Sequence, residues 1–192
     1  EGTSELEFEV LKANYQNIVH PDIFVTYDEA LNLYDLELLE YFRYSAEDVS
    51  LNVSMSGRQF DISYNADPSN YNDYLLQVTI YVGKKDVEDF EFTGASFVYD
   101  ALAHSLEIKS LPLGVIGVEY TNNSLTNVGK KEVTASFIVN ENYNFVPEKT
   151  ALLEVTKRTV TIIPTAGLSK SFSKLDPTIT YEISGLPENV KP

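Results

Sequence analysis

Carboxylates are the side chains most able to do chemistry in this sequence, and they come in close groups: Asp28-Glu29, Asp35 with Glu37, Glu47-Asp48, and Asp86 with Glu88-Asp89. Two neighbouring acids can share general acid–base work when burial or a like-charged neighbour lifts one out of the ordinary carboxylate range. Nothing in these spacings demands such a shift, so solvated turns and strand faces are their expected setting. Clustered carboxylates can also hold calcium, a hard cation that takes oxygen ligands. Asp86, Glu88 and Asp89 are the candidates, because they fall at a boundary between the repeats described below, as do Asp22 and Asp28-Glu29. No EF-hand loop is present. The expectation is therefore no metal and no cofactor, with calcium at Asp86, Glu88 and Asp89 as the alternative.

Other chemistries have fewer residues to work with. The chain holds two histidines, His20 and His104, and no cysteine. Disulfides, thiolate zinc sites, iron–sulfur clusters and cysteine nucleophiles are excluded together. His20 in His20-Pro21-Asp22 reads as part of a turn, and His104 as a locally hydrogen-bonded residue beside a strand. A Ser–His–Asp arrangement would lack the Gly-x-Ser-x-Gly elbow, and no glycine-rich phosphate loop is found. No catalytic residue is expected, and the chain reads as non-enzymatic. The 13 tyrosines could stack on a glycan, although Tyr71 and Tyr143, each beside asparagine, read as turn anchors. A Lys–Asn isopeptide cross-link would need a buried lysine, asparagine and acid together.

These side chains are carried by 192 residues, 43 % of them hydrophobic, with 29 acidic and 14 basic groups and a net charge of −15. That composition builds a packed core. The acidic balance argues against nucleic-acid or anionic-membrane partners, which select basic faces. Residues 1–83 hold 15 acidic and 3 basic groups, so most of the charge lies there. No apolar run is long enough to span a bilayer, and no signal peptide is visible. The start at Glu1-Gly2-Thr3, without methionine, suggests a piece of a longer protein.

The elements that must position these residues repeat. Tyr27-Asp28 recurs as Tyr99-Asp100 and Asn70-Tyr71-Asn72 as Asn142-Tyr143-Asn144, both 72 positions later. Lys12, Lys84 and Lys157 follow apolar runs at spacings of 72 and 73, and Ser63-Tyr64 meets Ser136-Phe137 at 73. Leu75-Leu76-Gln77-Val78 and Leu152-Leu153-Glu154-Val155, matched by composition, are 77 apart, which implies either a few inserted residues or a different register of the two runs. The resulting division is the closing strand of a preceding repeat (1–12), a first repeat (13–84), a second (85–157) and the opening of a third (158–192).

Within the second repeat, short β-prone runs alternate with turns. They are Phe90–Phe92, Ser96–Tyr99, Ser105–Lys109, Val115–Thr121, Glu132–Val139 and Ala151–Val155, separated at Gly94, Leu111-Pro112, Gly114 and Asn122-Asn123. Such spacing predicts an all-β fold of tandem immunoglobulin-like β-sandwiches. The first repeat adds Leu31, Tyr34, Leu38 and Tyr41 at helical spacing, which predicts a short helical turn near 35–44. The alternative is a β-grasp-like α+β repeat. The run Leu152–Ile163 has neither glycine nor proline, so little flexible hinge is expected between repeats.

Residues Val82–Arg158 resemble the MBG repeats of bacterial extracellular and surface proteins. The resemblance rests on Tyr99-Asp100, Ala103-His104-Ser105-Leu106, Leu111-Pro112, Gly114-Val115, Tyr120-Thr121-Asn122-Asn123, Asn127-Val128-Gly129, Val133-Thr134-Ala135, Asn142-Tyr143 and Leu153-Glu154-Val155. Residues 158–192 resemble the start of another such repeat, and 13–84 also resemble bacterial immunoglobulin-like repeats. Departures from the family pattern are Ala101 for the usual glycine, Lys131 for tyrosine and Phe172-Ser173 for Tyr-Gly. The resemblance implies an extracellular, modular bacterial surface or secreted protein. Its repeats would be non-catalytic spacers, a stiff adhesin stalk touching neighbouring repeats. Alternatives are a module that binds a host glycan or surface protein through aromatics of 13–84, and a stalk rigidified by calcium.

Overall fold

Strict alternation of apolar and polar side chains decides where the longest strands form and which way they face. In Tyr74–Gly83, Val78, Ile80 and Val82 are buried while Leu75, Gln77 and Tyr81 are exposed. In Lys149–Thr156, Ala151, Leu153 and Val155 are buried while Leu152 is exposed. A computed structural model describes residues 9–188, 190 and 191. Its fold is all-β, with two short 3-10 turns and no α-helix among the described residues, so the α+β alternative lacks its helix. Residues 1–8 of the expected preceding strand lie outside the described residues, and 9–12 carry no regular secondary structure.

The described residues form two compact units, the first running to Val87 and including Val139–Phe145, the second holding the rest. In the first unit the strands are β1 (Ala13–Asn14), β2 (Ile23–Thr26), β3 (Phe42–Tyr44), β4 (Arg58–Tyr64), β5 (Tyr71–Asn72) and β6 (Tyr74–Gly83). A four-stranded sheet has the order β2-β6-β4-β3, with β2 parallel to β6 and the other neighbours antiparallel. One face of this sheet presents Phe60, Ile62, Val78, Ile80 and Val82 to the core. It is covered by the irregular chain between β2 and β4, which contributes Leu33 and Leu51, both essentially inaccessible. The described strands of this unit thus give a four-stranded sheet with a covering segment and a separate two-stranded pair, β1 with β5.

The second unit repeats this plan. Its strands are β7 (Ala95–Val98), β8 (Val115–Thr121), β9 (Gly129–Val139), β10 (Lys149–Thr156), β11 (Thr161–Pro164) and β12 (Tyr181–Ser184). The sheet order β7-β10-β9-β8 reproduces that of the first unit, and β7 again runs parallel to the last strand of the sheet. Pairing fixes the correspondence. Phe60 faces Val78 as Val133 faces Ala151, and Ile23 faces Ile80 as Ala95 faces Leu153. The closing strands therefore correspond at 73, Ile80 with Leu153, so of the two explanations for the 77-residue offset the different register holds and no insertion is needed. Matching leucine runs by composition slid one strand along the other, because Leu75 and Leu152 are outward-facing residues outside the buried pattern.

Residues 158–180 are almost wholly exposed, and β11 pairs with β12 without a core of its own. The turn after β12 copies one before β8: the Val190 N–H donates to the Pro187 carbonyl at 3.0 Å, as the Val115 N–H does to Pro112 at 3.2 Å.

The helical turn expected near 35–44 is displaced and short. A 3-10 turn occupies Leu33–Asp35, while Phe42–Tyr44 is strand β3. The Asp35 carboxylate accepts the Asn32 N–H at 2.8 Å and closes that turn. Tyr34 and Tyr41, which carry the helical spacing, are 54 % and 49 % exposed, so no buried helical face exists to propagate it.

Ala101 and Ser173, 72 positions apart, both adopt a left-handed backbone, with φ 66° and 63°. A Cβ is disfavoured there and glycine is not. Ala101→Gly is expected to stabilise the second unit by about 0.5 kcal/mol, the relief of strain exceeding the added chain entropy. Denaturant unfolding checks this.

Candidate functional site

The densest polar constellation lies in the first unit, where Val139–Phe145 is packed. Its scaffold is backbone pairing. The Lys85 N–H donates to the Asn142 carbonyl at 3.0 Å, and the Asn144 N–H donates to the Lys85 carbonyl at 2.8 Å, which sets Lys85 beside Tyr143 in a parallel bridge. From this scaffold the side chains reach outward. Asn142 Oδ1 accepts the Val53 N–H at 3.0 Å, at the start of the 3-10 turn Val53–Met55. Asn144 Nδ2 donates to Asp86 Oδ1 at 2.7 Å. Tyr143 is 4 % exposed and meets Tyr27 edge-on at 5.8 Å, with its hydroxyl buried and unpartnered.

Charge completes the knot. Lys85 Nζ donates to Asp28 Oδ2 at 2.8 Å and to Glu29 Oε2 at 3.2 Å. The Lys85 hydrogen bond holds the Asp28 carboxyl below the usual carboxylate range, and the Ala30 N–H assists it. Asp28 and then Glu29 push the Lys85 ammonium up in turn. All three side chains meet solvent, so this is a positioning contact of modest strength.

The backbone tether of this knot recurs 72 residues earlier. The Ala13 N–H donates to the Asn70 carbonyl at 2.8 Å, Ala13 lies beside Tyr71 in a parallel pair, and Asn72 Nδ2 donates to Asn14 Oδ1 at 3.0 Å. Tyr71 stacks on Tyr15 at 4.5 Å, and the Tyr15 hydroxyl accepts the Asp67 N–H at 2.8 Å. The recurring Asn-Tyr-Asn triplet is therefore a strand-tethering device.

The calcium candidates are not brought together. Asp86 holds Asn144, Glu88 is exposed, and Asp89 pairs with Lys149 at 3.1 Å. The Lys149 hydrogen bond lowers the Asp89 pKa, and the same ammonium also donates to the Phe90 carbonyl and lies over the Phe90 ring at 4.5 Å. Among the described residues no three His, Asp or Glu side chains gather around one point. Asp22 is exposed, and Asp28-Glu29 are engaged by Lys85. Asp35 and Asp48 accept the backbone N–H groups of Asn32 and Tyr34, which gives them structural work.

Each histidine is held locally. His104 stacks on Phe97 at 4.2 Å, and its Nε2 lies 2.9 Å from Asp100 Oδ1. Asp100 is held below its usual pKa chiefly by the Leu102 N–H, with His104 adding to it. His20 Nδ1 meets the Pro21 carbonyl at 2.7 Å and Nε2 accepts the Leu39 N–H at 3.2 Å, which fits the tautomer protonated at Nδ1. No serine hydroxyl contacts either ring among the described residues. No lysine is buried among them, and an isopeptide cross-link needs one.

Sequence reasoning did not single out the pair Phe24 and Tyr81. These rings stack at 4.8 Å and 10° on the outer face of β2 and β6, 76 % and 38 % exposed, beside a shallow depression that also touches Ser56. Both stand at outward positions of alternating strands, but only the parallel register of β2 with β6, Phe24 opposite Tyr81, makes them neighbours. Their counterparts in the second unit are Ser96 and Glu154.

No protein-family model matches the chain, and no curated protein matches it. Among solved structures it is similar to Drosophila OTK, extracellular domains 3–5, at 12 % identity over 86 % of this chain and 73 % of that one, with a TM-score of 0.25. A likeness at that level carries no argument. No helix among the described residues is long and apolar enough to cross a membrane.

Proposed function

We propose that the chain is a non-catalytic structural repeat region, a stiff spacer in an extracellular bacterial surface or secreted protein. One observation carries this reading: strand register and the Asn-Tyr-Asn backbone tether both recur at 72–73 residues, with polar side chains committed to local structure. Residues that would otherwise be candidates for chemistry, Asp28, Asp86, Asp89 and His104 among them, spend their hydrogen bonds on turns, strands and tethers. The MBG resemblance supplies the setting. Small-angle scattering of the whole chain tests the reading. An elongated profile that does not change with protein concentration is the expected result, and a compact profile rejects it.

A second reading, a module that binds a glycan or a host protein, is favoured by the exposed Phe24–Tyr81 pair, since two parallel rings on an outer sheet face offer an apolar surface on which a sugar ring or a partner side chain can stack. Under this reading the chain gives one saturable hit on a glycan array, and Phe24→Ala with Tyr81→Ala reduces it more than about tenfold. An empty array leaves the spacer reading alone. Neither side chain belongs to the buried core, and an unchanged unfolding midpoint of the double variant separates lost binding from lost folding.

A further inference from the structure

The knot formed by Asn142, Tyr143 and Asn144 has two halves, and each half occurs a second time in the chain. The donating half is the triplet on its backbone tether. It recurs as Asn70-Tyr71-Asn72 on Ala13 and Asn14, with the tethering hydrogen bonds reproduced at the same spacing. The receiving half is Tyr27, Asp28 and the N–H of Val53, which follows Leu51 in Leu51-Asn52-Val53. It recurs in the second unit as Tyr99, Asp100 and the Asn127-Val128 segment, because the Asn32–Ser50 bridge of the first unit corresponds to the His104–Leu125 bridge of the second, which sets Val53 against Val128. The local geometry matches there too. The Tyr99 N–H donates to the Thr156 carbonyl at 2.9 Å as the Tyr27 N–H donates to Gly83 at 2.8 Å, and Asp100 accepts the Leu102 N–H as Asp28 accepts that of Ala30.

Occupancy separates the copies. Tyr143, covered by Tyr27, is 4 % exposed, whereas Tyr71 is half-buried and Asn70 exposed. Val53 receives Asn142 Oδ1, while Val128 is 47 % exposed. We infer that Asn70-Tyr71 and the Tyr99, Asp100 and Asn127-Val128 surface are the two unfilled halves of an inter-repeat lock, each taking the complementary half of a further repeat of this same class in one array. Asn70 Oδ1 then caps an N–H of the repeat before it, and the Asn127-Val128 segment receives the asparagine of the repeat after it. A charged side chain is not essential to the donating half, because Ala13 stands where the second knot has Lys85.

This inference rests on the spacer reading, and its test is separate. A tandem chain joins residues 1–157 of one copy directly to residues 13–192 of a second, following the spacing of Lys12-Ala13, Lys84-Lys85 and Lys157-Arg158. The second copy's Asn70 then lies in sequence where it can reach the first copy's Asn127-Val128 segment. Amide exchange followed by mass spectrometry is expected to show two equal envelopes for peptides spanning 125–129, one about tenfold slower, the factor a single good hydrogen bond supplies. Asn70→Ala in the second copy alone should merge them into the fast envelope. As a reference for the filled lock, Asn142→Ala in the natural chain should speed exchange at Val53 by a similar factor. A single fast envelope overturns the inference even when the tandem scatters as an elongated particle, and so do two envelopes indifferent to Asn70→Ala.

Discussion

Leu153→Ala should cost the second unit about 3–4 kcal/mol, while Leu152→Ala, one residue earlier, should cost less than about 1. Leu153 is fully buried and central in β10, whose neighbours on both sides leave no room to collapse into the space a leucine vacates. Its removal forfeits the transfer of three carbons and opens a cavity. Leu152 points to the other face and is 46 % exposed. Ile80→Ala should match Leu153→Ala in the first unit, because the two residues hold the same register position and are both inaccessible. Denaturant midpoints with unchanged slopes check all three. Equal losses at 152 and 153 would mean that β10 is placed one residue out, since a single-residue slip exchanges the faces of a strand.

The same faces mark what could be read from the sequence. Alternation in Ala151–Val155 and Glu132–Val139 predicts strands that the structure contains, since each needs only local pattern. Repetition at 72–73 was visible at Tyr27 and Tyr99, where the chain keeps identity. It was lost at the closing strand, where only burial is kept: Val78 corresponds to Ala151, residues of different size on the same buried face. The helical spacing of Leu31 to Tyr41 misled for a related reason. Periodicity reports a buried face only if one exists, and here Leu33 alone goes fully into the core while the tyrosines stay out.

Site chemistry was less legible than the fold. Asn-Tyr-Asn stood out as a repeated triplet, but its task depends on which N–H its amide meets, and Val53 is 89 residues away from Asn142. Asp86, Glu88 and Asp89 looked like a cluster because they are adjacent in sequence. In the structure Asp86 turns to Asn144 and Asp89 to Lys149, 58 and 60 residues distant. Phe24 and Tyr81 were legible only as two of the aromatics of 13–84, because exposed aromatics on separate strands become a pair only through register.

Gly94→Ala should destabilise the second unit by about 2–4 kcal/mol, although it adds a single methyl group at the start of a short strand. A Cβ on Gly94 would overlap the Leu152 carbonyl oxygen and come within 3.0 Å of the Leu152 nitrogen, and both are backbone atoms of β10. That strand is held on one side by seven paired positions with β9 and on the other by β7, so it cannot retreat. The methyl group must therefore push β7 away, and the pairing of Leu153 to Thr156 with Ala95 to Val98 is what gives. The first unit has no such constraint: its residue at the same place, 72 positions earlier, is the exposed Asp22. Gly83→Ala provides the control, because a Cβ there meets the Val25 carbonyl at an ordinary 3.7 Å and its backbone is not left-handed. That change should be neutral or stabilising by up to about 0.5 kcal/mol, alanine losing less chain entropy than glycine in a strand. Thermal and denaturant unfolding separate the two substitutions. A Gly94→Ala protein within about 0.5 kcal/mol of the parent would mean that β7 does not lie against Leu152, and with it the parallel edge that makes the second unit a copy of the first would be lost.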